Sequence, residues 1–484
     1  MRFNSGIGLA VTVAVGVTAG GCGPDAARAR PEANEGQAST ALTYNPGVHL
    51  WSKSFGDASQ QWVEDVAADG AGHAVVVGHY SGSLFDLGQG PLPAAGYYPS
   101  LYVARFNGTG QTVWSRAVPG INDDDFGFVG YERQVVTDAA NNIVIAGNYY
   151  GAPDFGCGPL TQGSGVFTVK LDSAGQCVWS RAFPGAFVEH PRLAVDADGK
   201  LALAGGFSGG TLDFGGGPLT ASQHDLFLAR LDGSGNHVWS SRFEATGGGA
   251  FAPELGVATD GAGNVLLTGG FSGYASFGAS AMRSRGGMDL FIARFNATGG
   301  LMWGRRFGDA ADQAGAAVAA DAAGNMVLTG GFGGTLNIDG FSLTASTPSD
   351  AFLLKLDATG HHVWSQAFTD ADGTGVQQGT GVEVDRNGNI TASGSYTGHI
   401  DLGAGPLERE GNTKRYVASF EGTGRLVWQL DFVNDGTAFD AHVAVDPVSD
   451  VFVTGQYTGS ARFFGPTFQS QGGTDVFLGK YTVH

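Results

Sequence analysis

Seven of the eight tryptophans in this chain fall at nearly even intervals: Trp51, Trp114, Trp179, Trp239, Trp303, Trp364 and Trp428 lie 60 to 65 residues apart. A period of that length is the mark of a repeat array. It overrides the roughly three separate domains that 484 residues would otherwise suggest. Two further marks keep step with it. An aspartate closing a short apolar run (Asp69, Asp138, Asp196, Asp260, Asp321, Asp385, Asp446) is followed nine residues later by glycine (Gly78, Gly147, Gly205, Gly269, Gly330, Gly394, Gly455). An aromatic residue (Tyr102, Phe167, Phe227, Phe291, Phe352, Tyr416) stands twelve residues before the next tryptophan, and Phe477 is its seventh copy.

Each constant spacing encloses a hairpin. Residues Val257 to Gly269 are two short β-runs around a turn of Asp, Gly and Asn. Residues Leu290 to Phe307 are a second pair, with Trp303 and Phe307 on one strand face. Every repeat therefore supplies four strands, A to D, and no amphipathic helix interrupts them. The 82 glycines follow no collagen period, and 42% hydrophobic residues exceed what a disordered chain carries. The expected fold is all-β, a seven-bladed β-propeller with four strands per blade. The last unit ends after its C strand, at Asp475 to His484, whereas the chain opens with an orphan Trp51 strand, Val48 to Phe55. That strand is expected to complete the last blade and close the ring; an open solenoid would need polar caps.

These units resemble the seven-bladed β-propeller repeats (SBBP repeats) of bacterial envelope proteins. Leu193 to Phe243 fits their pattern closely, and the resemblance covers about residues 48–484. It implies architecture and carries no catalytic residues. The stretch Asp357 to Trp364 also resembles the tryptophan-docking motif of quinoprotein propellers, which have eight blades.

Residues 1–21 read as a signal peptide: Arg2, an apolar stretch from Ile7 to Ala19, then small residues. The stretch is too short to span a bilayer. Ala19-Gly20-Gly21-Cys22 resembles a lipoprotein box, which implies lipidation of Cys22, and Gly23 implies sorting to the outer membrane. Residues 22–47, rich in Ala, Pro, Glu and Arg, read as a flexible tether, and residues 48–484 as the propeller. The expected location is an outer-membrane or cell-surface lipoprotein held by its lipid alone, or a secreted protein if Cys22 is unmodified. Export permits a disulfide between Cys157 and Cys177.

Length variation is confined to the D–A and B–C connections, which emerge on one face of the ring. Variable loops on a rigid frame are where binding residues gather. Acidic residues collect in the D–A loops, among them Asp57, Asp123, Asp125, Glu189, Asp309, Asp370, Asp372 and Asp435. Asp370, Asp372, Asp123 and Asp125 are the candidate ligands for Ca²⁺, an oxygen-seeking ion; solvated surface carboxylates are the alternative. Trp62, out of register and assigned to a D–A loop, is the candidate aromatic contact, with Asp57, Glu189, His190, Asp309 and Asp435 around it. A formal charge of −19 without basic clusters excludes nucleic acid as a partner. The cations Arg105, Lys170, Arg230, Arg294, Lys355 and Lys480 recur three residues after the strand C aromatic, broken by Ser419. They are expected to meet carboxylates at blade borders or to reach solvent. With no catalytic motif in view, a monomeric, non-enzymatic binding or scaffold protein is expected, taking a protein or glycan at the envelope. The alternatives are a propeller lyase or hydrolase with a channel-mouth site, and an outer-membrane assembly scaffold.

Overall fold

The structure is a computed structural model. It describes residues 47–482 apart from 97, 120–132, 247–248, 279, 371, 409–412, 435, 437 and 464. The signal and lipid-anchor region with Cys22, and also Asp123, Asp125 and Asp435, lie outside the described residues.

Among the described residues there is no helix, and seven four-stranded antiparallel sheets carry the fold. The first is built from Gln61–Ala68, Ala74–Tyr80, Ser100–Phe106 and Thr112–Val118, in that order. The next five repeat this meander. The seventh runs Ala438–Val445, Val451–Tyr457, Asp475–Thr482 and then Val48–Phe55, so the first described strand pairs with the last. Each A strand touches the A strand of the following sheet, and Ala438–Val445 touches both Gln377–Val384 and Gln61–Ala68. The B and C strands are buried almost throughout, which accounts for their near-continuous apolar runs.

The glycine-rich inserts between B and C are more ordered than loops. Thr211–Asp213 pairs with Pro218–Thr220, and Thr335–Ile338 with Phe341–Thr344, as small ribbons folded back on their sheets. Asp213 accepts the N–H groups of Gly215 and Gly217 and so fixes the ribbon turn. Phe214 then buries its ring 5.1 Å from Phe227, the strand C aromatic.

The repeat's constant residues meet at the borders between sheets. Asp69 accepts the N–H groups of Ala71 and His73, closing its A–B turn, and also pairs with Arg105 of the same sheet. The same ion pair recurs as Lys170–Asp138, Arg230–Asp196, Arg294–Asp260, Lys355–Asp321 and Lys480–Asp446. Several of these cations reach onward to the next sheet. The Ser173 carbonyl accepts both Arg105 and the Trp114 indole N–H, and Gly422 likewise accepts Lys355 and Trp364. Gly175, at φ 78°, lies under Trp114, where a Cβ would stand 3.0 Å from the ring. Ser419 breaks the cation series for a visible reason. In the following sheet Val48–Phe55 pairs with Asp475–Thr482 without a C–D hairpin between them, so among the described residues no such turn offers its carbonyl to that position.

Candidate functional site: the central cavity

The seven A strands wall a cavity of about 850 Å³. The fourth residue before each turn aspartate forms one level of it: Asp65, Gln134, Arg192, Gly256, Ala317, Gly381 and His442. Their equivalence is set by register, because each lies opposite the residue preceding the strand B glycine.

Four of these seven residues are polar and lie against neighbouring groups. Asp65 Oδ2 accepts the Val135 N–H at 2.9 Å, Gln134 Oε1 accepts the Leu193 N–H at 2.7 Å, and Arg192 Nε donates to the Leu255 carbonyl at 2.9 Å. His442 Nδ1 stands 3.8 Å from Asp65 Oδ1. The other three, Gly256, Ala317 and Gly381, are small because neighbours crowd them: a Cβ would stand 2.8 Å from Ala317 Cα at Gly256 and 2.6 Å from Ser393 Oγ at Gly381. Two residues further along, the level reads Ala67, Val136, Ala194, Ala258, Ala319, Glu383 and Ala444, so Glu383 is its single polar member.

Nearer the strand starts, Glu64 accepts Arg133 Nη1 at 2.8 Å and lies 2.6 Å from His79 Nδ1, while Trp62 stacks on His79 at 4.4 Å. The carboxyls of this cavity sit in different environments. Burial pushes Asp65 up to about 6, opposed by His442 and by N–H bonds. Glu383 is exposed to the lumen, where the surrounding protein, with the Asp65 charge, pushes it up to about 7. For Glu64, burial is outweighed by Arg133 and His79, which hold it below the usual range. Neighbouring carboxyls with separated proton affinities can divide the roles of acid and base.

Several loop residues singled out from sequence make local hydrogen bonds. Asp57 accepts Ser59 N–H, Gln61 Nε2 and Leu84 N–H; Asp309 accepts Ala311 N–H, Gln313 Nε2 and Thr335 N–H. Each pins its D–A loop to the neighbouring B–C ribbon. Asp370 accepts Asp372 N–H and Gly375 N–H. Burial raises Asp370, but these N–H groups and His399 outweigh it and hold the carboxyl below its ordinary value. Asp370, Asp372 and His399 offer three ligand atoms within 4.8 Å of one another, the single such cluster among the described residues. It mixes one imidazole with two carboxylates, a smaller and softer set than the six to eight oxygens calcium takes. Glu189 lies 3.7 Å from the exposed His224. His190 adopts φ 47° in a bulged strand and is not among the cavity-lining residues. Cys157 and Cys177 are bonded to each other.

Trp62, Glu189 and His190 are strand residues rather than loop residues: they belong to Gln61–Ala68 and Phe187–Val195. Six of the seven A strands carry a bulge near their start, between Val63 and Asp65 in the first. A bulge breaks the two-residue alternation from which a strand is read, so the strands looked shorter in sequence than they are. The cavity carboxyls were missed for the same reason. The signal that would have found them is a column in the repeat alignment that changes from blade to blade while its neighbours stay constant.

No family model matches the chain. A stretch of 150 residues, 28% of the chain, is 25% identical to an uncharacterized WD-repeat-containing protein of Acanthamoeba polyphaga mimivirus, of which it spans only 10%. Among solved structures, puromycin hydrolase matches with a TM-score of 0.44 and 14% identity, over 88% of this chain and 57% of that one. An ulvan lyase matches with a TM-score of 0.43 and 11% identity, over 87% and 97%. The apocarotenoid oxygenase of Synechocystis matches with a TM-score of 0.39 and 11% identity, over 88% and 94%. The chain thus spans a tenth of the viral relative and little more than half of the hydrolase.

Proposed function

We propose that this chain is a closed seven-bladed propeller of the SBBP-repeat kind, exported and lipid-anchored through Cys22, that binds a ligand in its central cavity. The cyclic contacts of the A strands and the pairing of Val48–Phe55 with Asp475–Thr482 support closure. The observation that carries the binding reading is Glu383, a carboxyl with no polar partner among the described residues, facing a cavity of about 850 Å³. That volume lies within the range of ~300–1,000 Å³ typical of small-molecule sites, enough for a small ligand or the end of a glycan. The loop face loses part of its support, because Asp57, Asp309 and Asp370 are committed to backbone bonds.

The test is a panel of envelope and extracellular glycans titrated calorimetrically against the mature protein, with Glu383→Gln alongside. Binding that ignores this substitution would move the site out of the cavity. Cys22→Ser should release the protein from membranes; continued membrane association would refute the anchor.

A second reading, a polysaccharide-cleaving enzyme, is favoured by the two raised carboxyls, Asp65 and Glu383. It predicts turnover that Glu383→Gln and Asp65→Asn each abolish. A panel of polysaccharides left intact by the wild-type protein would sink it.

A further inference from the structure

Asp225, Asp289, Asp350 and Asp475 hold one position in their sheets, two residues before the strand C aromatic, and each is 1% exposed or less. Three of them are provided for. Arg242 of the adjoining D strand pairs with Asp225 at 2.9 Å, and Arg306 pairs with Asp289. Asp350 accepts the Thr347 hydroxyl at 2.6 Å on one oxygen and the Ser346 N–H and hydroxyl on the other. Asp475 has neither arrangement. Arg242 and Arg306 lie opposite the strand C aromatic, and the residue opposite Phe477 is Ser54, whose hydroxyl is bonded to that of Tyr457 at 2.6 Å. Asp475 Oδ2 accepts the Gln471 N–H at 3.2 Å, and its buried Oδ1 has no hydrogen-bond partner. Asp289 Oδ1 shares that lack, but Arg306 balances its carboxylate.

Three pieces of chain meet at Asp475. It begins the strand that pairs with Val48–Phe55, it lies against Gly56, where a Cβ would overlap its carboxyl, and the carbonyl of Thr474 beside it accepts the Gln61 N–H of the first sheet. The titratable groups that face it are Asp57 from the D–A loop and Tyr457 from strand B, and neither brings a positive charge. Among the described residues no cation pairs with it.

We infer that Asp475 is a proton-operated latch on the strand that completes the seventh sheet: protonated, it lets Val48–Phe55 seat against Asp475–Thr482, and ionised, it loosens that pairing. The inference goes beyond the cavity reading and needs only the pairing itself. A carboxyl sealed from water without a cation is buried at least cost in its neutral form. Burial pushes Asp475 up to about 6, opposed by the Gln471 N–H and aided by the Asp57 charge. The folded protein therefore keeps a proton that the unfolded chain, at the ordinary value of 3.8, has released. The latch holds fully below about pH 4 and fades as pH rises through about 6.

Hydrogen exchange of the mature protein at pH 4.5 and pH 7.5, read as protection factors so that the intrinsic rate is removed, tests this. Protection of Val48–Phe55 is expected to fall about tenfold at the higher pH, the equivalent of one pH unit of linkage, and by more than that of the D strands of the other sheets. Asp475→Asn should abolish the extra fall, whereas Glu383→Gln should leave it in place. Ser54→Arg with Tyr457→Phe copies the third and fourth sheets, where Arg242 and Arg306 meet the aspartate and Phe207 and Phe271 lie opposite it. That pair of changes should hold the strand equally at both pH values, and it supplies a second reading should Asp475→Asn fail to fold. Equal protection at both pH values in the wild type, or a fall shared alike by all seven sheets, would overturn the latch. So would an extra fall that persists in Asp475→Asn or in the arginine variant.

Discussion

Arg230 and Asp196 form an ion pair in which the guanidinium side chain is 1% exposed and the carboxylate 4%. It ties the third strand of its sheet to the turn between the first and second. Removing one member of a buried pair strands the other without solvent, at a cost of about 3–5 kcal/mol. Arg230→Ala should therefore lower the urea unfolding free energy by that amount. Arg425→Ala, which breaks a solvent-exposed pair with Glu421, should leave it unchanged.

Trp114 contributes a ring packed on Gly175 and an indole N–H bonded to the Ser173 carbonyl. Trp114→Phe keeps most of the first and removes the second. It should cost about 0.5–1.5 kcal/mol, the net worth of one hydrogen bond, because Arg105 still donates to the Ser173 carbonyl. Trp114→Ala should cost about 3–5 kcal/mol, because the ring goes too. Chemical denaturation of the two variants separates these contributions.

Restoring the missing cation offers a sharper check on the border chemistry. Ser419 is buried, and no turn of the following sheet faces it. Ser419→Arg should thus destabilise the protein by more than about 2 kcal/mol, since a buried charge without its full set of partners is costly. An unchanged melting temperature would mean that the exception has nothing to do with the position of the chain ends.

These border residues show how far the sequence could be read. The Trp, Asp, Gly and aromatic markers are visible because they repeat, and they repeat because each does the same job at every border. Arg105 and its counterparts were legible as a series, but their partners were not, because a pairing between residues 36 apart in Arg105 and Asp69 is a fact of register. The cavity was hidden for the opposite reason. Asp65, Glu383 and His442 each occur once, at positions where other repeats have Gly, Ala, Val, Gln or Arg, and a strand bulge conceals their alternation. What is unique to one blade gives no period to detect.

Proton linkage gives a fourth expectation. Glu383 rises from 4.5 to about 7 and Asp65 from 3.8 to about 6. The folded state therefore holds more protons than the unfolded chain across this window, and stability must fall as pH rises through it. Water in the lumen screens Glu383, so its share is only about 1 kcal/mol. Glu383→Gln should flatten the decline between about pH 4.5 and 7 in thermal melts. A steeper decline in the variant would contradict the assignment.

The Cys157–Cys177 bond closes a loop with a sequence separation of 20, tying the ribbon of the second sheet to the start of its outer strand. Cys157→Ser with Cys177→Ser should lower stability by about 2–4 kcal/mol, the usual range for a loop of this size. The loss should be matched by adding a reductant to the wild-type protein under the same denaturing conditions.

The pairing of Val48–Phe55 with Asp475–Thr482 also sets a timetable for the molecule's birth. Strands in the other six sheets find their partners within one repeat of chain. The seventh sheet has to wait until residue 482 has been made, with Val48–Phe55 lacking its partner strand until then. Until then the growing polypeptide carries an unpaired strand at one end and a bare flank on the first sheet.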